Sequence, residues 1–103
     1  MSWAKYAIEA LQQGERAVIH PRGNSMRRKV NSGDKVTLDP VATDDVAVGD
    51  IVLVKVKGHV YLHLVKAVRG GPQFQIGNNR GGINGWVSPQ AIYGRATSVE
   101  APS

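Results

Sequence analysis

The sequence predicts a mainly β domain preceded by one short helix, and three observations carry that reading. Apolar residues recur at helical spacing only ahead of Gly14. From Arg16 onward they alternate with polar residues or run in short β-branched stretches, and those stretches are punctuated by glycine, proline and asparagine turns. A chain of 103 residues with 42% hydrophobic content suits one domain with a single core. We divide it into a helix over 1–14 and a β domain over 16–99.

In the helix, Ser2 is the expected N-cap, Trp3, Ala7, Ala10 and Leu11 form the apolar stripe, and Gly14 is the stop just past the last turn. The stripe is expected to pack against the domain. The polar face holds too few Lys and Arg residues to favour a lipid surface.

Arg16-Ala17-Val18-Ile19-His20 reads as a short strand that stops at Pro21 and leads into the turn Arg22-Gly23-Asn24-Ser25-Met26. Asn31-Ser32-Gly33-Asp34 is a turn feeding Lys35-Val36-Thr37-Leu38-Asp39, in which alternation sends Val36 and Leu38 to the core and Pro40 ends the strand. Thr43-Asp44-Asp45 and Val48-Gly49-Asp50 bracket a connection into Ile51 to Lys57, the most strand-like run of the chain. Val60-Tyr61-Leu62-His63-Leu64-Val65 follows after Gly58, so the pair is expected to form an antiparallel hairpin with His63 on its second arm. Gly70-Gly71-Pro72 is a turn, and Gln73-Phe74-Gln75-Ile76 alternates polar and apolar residues. Gly77-Asn78-Asn79-Arg80-Gly81-Gly82 is a long loop without the helix and the Lys-Ser/Thr ending that a phosphate cradle needs. Trp86-Val87 and Ala91-Ile92-Tyr93 close the domain, and Thr97 to Ser103 is expected to be a frayed tail.

Composition narrows the function classes. The absence of cysteine removes disulfides, thiolate metal sites and cysteine catalysis. His20, His59 and His63 are too dispersed for a zinc site, so neither a metal nor another cofactor is expected. No apolar run approaches the ~20 residues needed to cross a bilayer, and the N-terminus lacks a secretory pattern; the expectation is a soluble, cytoplasmic protein. Thirteen Lys and Arg against eight Asp and Glu give a net charge of +5, which suits an acidic partner, a nucleic acid or simple solubility.

Ser25 is the candidate nucleophile, because a glycine-flexed turn presents its hydroxyl between two strands. A serine needs a base within hydrogen-bond reach and donors for the developing oxyanion. His63 is the candidate base. Its strand is rich enough in apolar residues to be buried on both faces, and Leu62, Leu64 and Val65 disfavour the charged imidazolium. The backbone amides of Asn24 and Ser25 are the expected oxyanion donors. Lys66 is the alternative base, on the opposite strand face from His63, whereas Lys55 and Lys57 are expected in solvent. The plain alternative is a turn serine and a satisfied core histidine. Arg22, Arg27, Arg28 and Lys29 form a basic patch beside the serine turn.

Six pieces in order, Gly23-Asn24-Ser25-Met26, Ser32-Gly33-Asp34-Lys35-Val36, Val48-Gly49-Asp50-Ile51-Val52, the His63 strand, Ile76-Gly77-Asn78-Asn79 and Ile92-Tyr93-Gly94-Arg95-Ala96, resemble the serine peptidase superfamily of LexA-type repressors and signal peptidases. The resemblance spans about His20 to Val99. It implies a coiled, mostly antiparallel β fold with Ser25 as nucleophile and, since the dyad base position matches His63, the Ser–His branch of that superfamily. The proline common after the Ser-Met pair is replaced by Arg27-Arg28-Lys29. Gly77-Asn78-Asn79 stands where the family has Gly-Asp-Asn, and Asn84 stands at the acid expected further on. Asn78 and Asn84 are therefore the candidate residues for orienting His63, and since asparagine can do this through its carbonyl oxygen, a slow peptidase is expected.

The resemblance further implies an extended peptide substrate, bound as an added strand and cleaved after a small side chain. The transmembrane anchor of signal peptidases and the DNA-binding domain of LexA repressors have no counterpart in the chain. The segment before Ser25 is too short to reach back as a substrate, so no LexA-like self-cleavage is expected. The alternative is a catalytically weak or inactive binding module for a protein or nucleic-acid partner. With few exposed aromatic residues and no recognition helix, nucleic-acid binding is expected to be weak and non-specific.

Overall fold

In the computed structural model, which describes residues 3–23 and 25–102, one helix packs on a seven-stranded antiparallel sheet. The helix α1 spans Lys5–Gln12, and the strands are β1 (Ala17–Ile19), β2 (Lys35–Asp39), β3 (Ile51–Val56), β4 (His59–Arg69), β5 (Gln73–Gly77), β6 (Ile83–Val87) and β7 (Ile92–Glu100). Single turns of 3-10 helix at Thr43–Asp45 and Pro89–Ala91 lead into β3 and β7.

α1 buries Ala7 and Leu11, with Ala4 buried just ahead of it and Ile8 and Ala10 partly covered beside them. That stripe corrects the expected one at its first position: Trp3 is 53% exposed, because the inward face begins one residue later. Ser2, the expected N-cap, lies outside the described residues, and Ala4 occupies the cap position without a side-chain bond. The stop at Gly14 holds. Glu15 N–H bonds Ala10 O at 2.9 Å and Gly14 N–H bonds Leu11 O at 3.0 Å around a glycine at φ +80°, the paired-bond cap that a residue in the left-handed region makes possible. Leu11 seats on β7 at Gly94, where an added Cβ would come within 2.8 Å of a Leu11 methyl and 2.9 Å of Asp39 O.

The sheet runs β1-β2-β7-β3-β4-β5-β6. β3 and β4 form the expected hairpin, with Val52 opposite His63 and Leu53 opposite Leu62. Lys57 (φ 50°) and Gly58 (φ 85°) make its two-residue turn; positive φ at both positions matches the twist of the flanking strands. The largest correction concerns the C-terminus. Thr97 to Glu100 are strand rather than a frayed tail, with Ser98 opposite Thr37, Val99 opposite Val36 and Glu100 opposite Lys35. The polar stretch gives little hydrophobic signal, but β3 pairs with β7 only at Ile92 to Arg95, and Ser98 to Glu100 extend the ladder along β2, which needs only their backbone.

Two apolar clusters lie on opposite faces of the sheet. One joins α1, Ala17, Ile19, Val36 and Leu38 to Leu53, Leu62 and Leu64, and it includes Met26 and Val30 from the loop after β1. The other joins Val52, Val54 and Val56 to Val65, Phe74, Ile76 and Val87. Around this second cluster β6 curls back over β3: the Cβ position of Gly85 is 3.7 Å from Val56 and 3.6 Å from Lys57. The centre of β3 and β4 is thus covered on both faces, which is why Ile51 to Val56 and Leu62 to Val65 read as nearly continuous apolar runs.

Candidate active site

β4 delivers His63. Alternation places Tyr61, His63 and Val65 on one face of the strand, and His63 is buried between apolar neighbours with 5% of its surface exposed. Tyr61 stacks on the imidazole, ring centroids 4.7 Å apart and planes inclined by 20°. Burial pushes the His63 pKa below its ordinary value, against a smaller upward push from the hydrogen bond to Asn84. At neutral pH the ring is therefore uncharged and able to accept a proton.

The loop between β1 and β2 delivers Ser25. Its two ends are tied by the Gly33 N–H bond to Pro21 O at 2.8 Å, and a tight turn follows Ser25 in which Lys29 and Val30 N–H both reach Met26 O around Arg28 at φ 81°. Met26 and Val30, four residues apart, point inward to the first cluster and anchor that turn, whereas Arg27, Arg28 and Lys29 are exposed.

The two side chains meet. Ser25 Oγ lies 3.2 Å from His63 Nε2, and on the other side of the ring Asn84 Oδ1 lies 2.7 Å from Nδ1. An amide oxygen is an acceptor only, so Nδ1 carries the proton and donates it to Asn84, which leaves the Nε2 lone pair facing the serine hydroxyl. Ser25 is half-buried on the wall of an open cleft of about 390 Å³, lined also by Trp3, Pro21, Met26, Val30, Val60 and Leu62.

Of the two asparagines considered for orienting His63, the structure brings Asn84 to the ring and uses Asn78 elsewhere. Asn78 Oδ1 accepts the N–H groups of Arg80 and Gly82, both at 2.8 Å, so it folds the β5–β6 loop on itself. Those two amides are spent within the loop. Lys66 does not line the cleft. It sits at the irregularity between β4 and β5, its Cε 3.1 Å from the Cβ position of Gly77. Asn24, expected to supply an oxyanion donor, lies outside the described residues; the Ser25 N–H donates to no acceptor among the described residues. Arg22 stands on the cleft rim next to Gly23. No group of metal-ligating side chains occurs among the described residues, and no described helix is long and apolar enough to cross a membrane.

Two contributors were not found from sequence. Asn79 clamps the serine loop twice, its N–H to Ser25 O at 2.9 Å and its Nδ2 to Arg27 O at 2.8 Å. These contacts span about half the chain and leave no local signal. Tyr61 had one: it stands two residues before His63, hence on the same strand face. Comparison with protein-family models, with curated proteins and with solved structures finds no match.

Proposed function

We propose that the chain is a serine peptidase of the Ser–His type acting on an extended peptide, as the resemblance to the LexA and signal-peptidase superfamily implies. A single observation carries the reading: Asn84, His63 and Ser25 form a continuous chain of hydrogen bonds that ends in an open cleft. Nucleophile, base and orienting group are each within reach of the next, which is the arrangement that activates a hydroxyl.

In the proposed reaction Ser25 Oγ attacks the peptide carbonyl carbon and its proton passes to His63 Nε2. The tetrahedral intermediate collapses as the C–N bond breaks, and Nε2–H protonates the departing amine, leaving an ester on Ser25. A water then gives its proton to Nε2, attacks the ester and releases the acid, and the proton returns to Ser25. In each half His63 is transiently cationic. Asn84 holds the ring through a neutral acceptor, which stabilises that cation less than a carboxylate does, so turnover is slow.

The test is cleavage of a broad library of extended peptides by the wild-type chain and by Ser25→Ala, read by mass spectrometry. Ser25-dependent products are expected. Their absence from the library, together with no labelling of Ser25 by a fluorophosphonate, removes the reading and leaves a binding module on the same scaffold.

A further inference from the structure

The cleft joins two surfaces of opposite character. Its floor is apolar, with Met26 and Val30 at 4% exposure and Leu62 at 6%. Its rim and the adjoining turn are cationic: Arg22 lines the opening, and Arg27, Arg28 and Lys29 occupy the outer face of the turn whose inner face is Met26 and Val30.

None of these four cations makes an ion pair among the described residues. The ion pairs that form, Arg16 with Asp39 and Arg95 with Asp50, lie elsewhere on the sheet. The carboxylate nearest in sequence, Asp34, is buried and turned inward, accepting the Asn31 N–H at 2.8 Å, and Arg22 passes over Gly33 without pairing with it. The protein thus concentrates positive charge beside the serine and keeps its own acids out of reach. Charge held at the mouth of a low-dielectric cleft attracts anions to that cleft more strongly than the same charge spread over a face.

We propose that the Ser25 cleft selects acidic peptides: an apolar side chain of the substrate rests on Met26, Val30 and Leu62, and acidic residues flanking it are held by Arg22, Arg27, Arg28 and Lys29. The proposal rests on the peptidase reading of the same site. A peptide is favoured over a nucleic acid because Arg22 borders an apolar floor beside Ser25, with the other three cations on the adjoining turn; Trp3 also lines the cleft, so a stacking oligonucleotide is the competing ligand in the test.

Binding is measured with the Ser25→Ala protein, so that affinity is read without turnover. Fluorescence anisotropy compares two labelled peptides that share length and central apolar residue, one flanked by Asp and Glu, the other by Asn and Gln. The acidic peptide is expected to bind about tenfold more tightly at low salt, the preference shrinking steeply as salt screens the exposed cations. The double reversal Arg27→Glu with Lys29→Glu, at two exposed positions and checked for folding by circular dichroism, should abolish the preference. Equal affinities for the two peptides, a preference that survives the reversal, or tighter binding of a single-stranded oligonucleotide of matched charge each overturns the proposal. An acidic preference without any Ser25-dependent cleavage by the wild-type chain removes the peptidase reading and leaves an acidic-peptide binder. Cleavage with equal affinities removes only the selectivity.

Discussion

His63 and Ser25 face each other across 3.2 Å, and the chain holds them by opposite means. The histidine stands in the middle of β4, with Val52 opposite it on β3, Leu62 and Leu64 buried on one face and Tyr61 stacked beside it on the other. Its position is a consequence of ladder register, which many residues set together and no single side chain can move. The serine stands on a loop between β1 and β2 that is fixed by a few tertiary hydrogen bonds, two of them from Asn79 on the distant β5–β6 loop. That hairpin also carries Asn84, so one supersecondary unit both orients His63 and clamps the Ser25 loop. The site is therefore more fragile on one side: the position of His63 is over-determined, whereas that of Ser25 depends on a few contacts.

The largest expected effect comes from removing the proposed nucleophile. Ser25→Ala should reduce cleavage to background, a loss of several powers of ten, while leaving the denaturation midpoint nearly unchanged, because the loop is held by backbone and by Met26, Val30 and Asn79. A retained rate would show that the hydroxyl is not the attacking group.

Next in size is the shared hairpin. An alanine at Gly77 would drive its Cβ into the Gly82 carbonyl oxygen and crowd Ile83 Cδ1 and Lys66 Cε, each 3.1 Å away. Gly77→Ala should cost about 1–3 kcal/mol in chemical denaturation, the range for overpacking a tight site, and should depress cleavage by more than unfolding accounts for. Normal cleavage with a shifted hairpin would refute its double role.

The acid–base limb sharpens the comparison from the histidine side. Because burial lowers the His63 pKa, kcat/KM should be flat above the ordinary histidine value of about 6.5 and decline only at lower pH, as the ring protonates. Asn84→Asp places a charged acceptor at Nδ1, so the limb should move to higher pH and turnover should rise, by a factor bounded by the ~10⁴ that the reverse change costs in the worked serine-protease case. An unmoved limb would mean that another group titrates. Stability follows the same sign. Between the ordinary pKa and the lowered one only the unfolded chain binds the proton, so stability falls as pH drops through that window and levels off below it. An acid titration of the denaturation midpoint, compared with His63→Gln, reads it out.

Asn79→Ala should have a smaller effect. It removes the Nδ2 bond to Arg27 O but keeps the backbone bond to Ser25 O, so about 0.5–1.5 kcal/mol of stability and a modest part of the turnover should go. The smallest is that of Arg16→Ala, since the Arg16 side chain pairs with Asp39 and does not line the cleft. Arg16 is 68% exposed and Asp39 keeps its bond from Thr97 Oγ1, so neither cleavage nor the denaturation midpoint should change measurably.

Elements with a strong local signal were legible before folding is considered. The period-3.6 stripe and Gly14 defined α1, the runs at Ile51 and Val60 with Gly58 between them defined the hairpin, and alternation put Val36, Leu38, Phe74 and Ile76 in the core. Ser25 and His63 were legible because each sits in a context that suits its proposed task, a glycine turn and an apolar strand. Relations between distant residues emerged only on folding. The strand pairing of Thr97 to Glu100 was invisible because a backbone ladder asks little of side chains. The choice of Asn84 over Asn78 at Nδ1 depended on how β6 curls back over β3, and the clamp from Asn79 depended on where the β5–β6 loop meets the β1–β2 loop. Composition and periodicity carry no information on such meetings, because they are fixed by packing the assembled sheet and not by the propensity of any one segment.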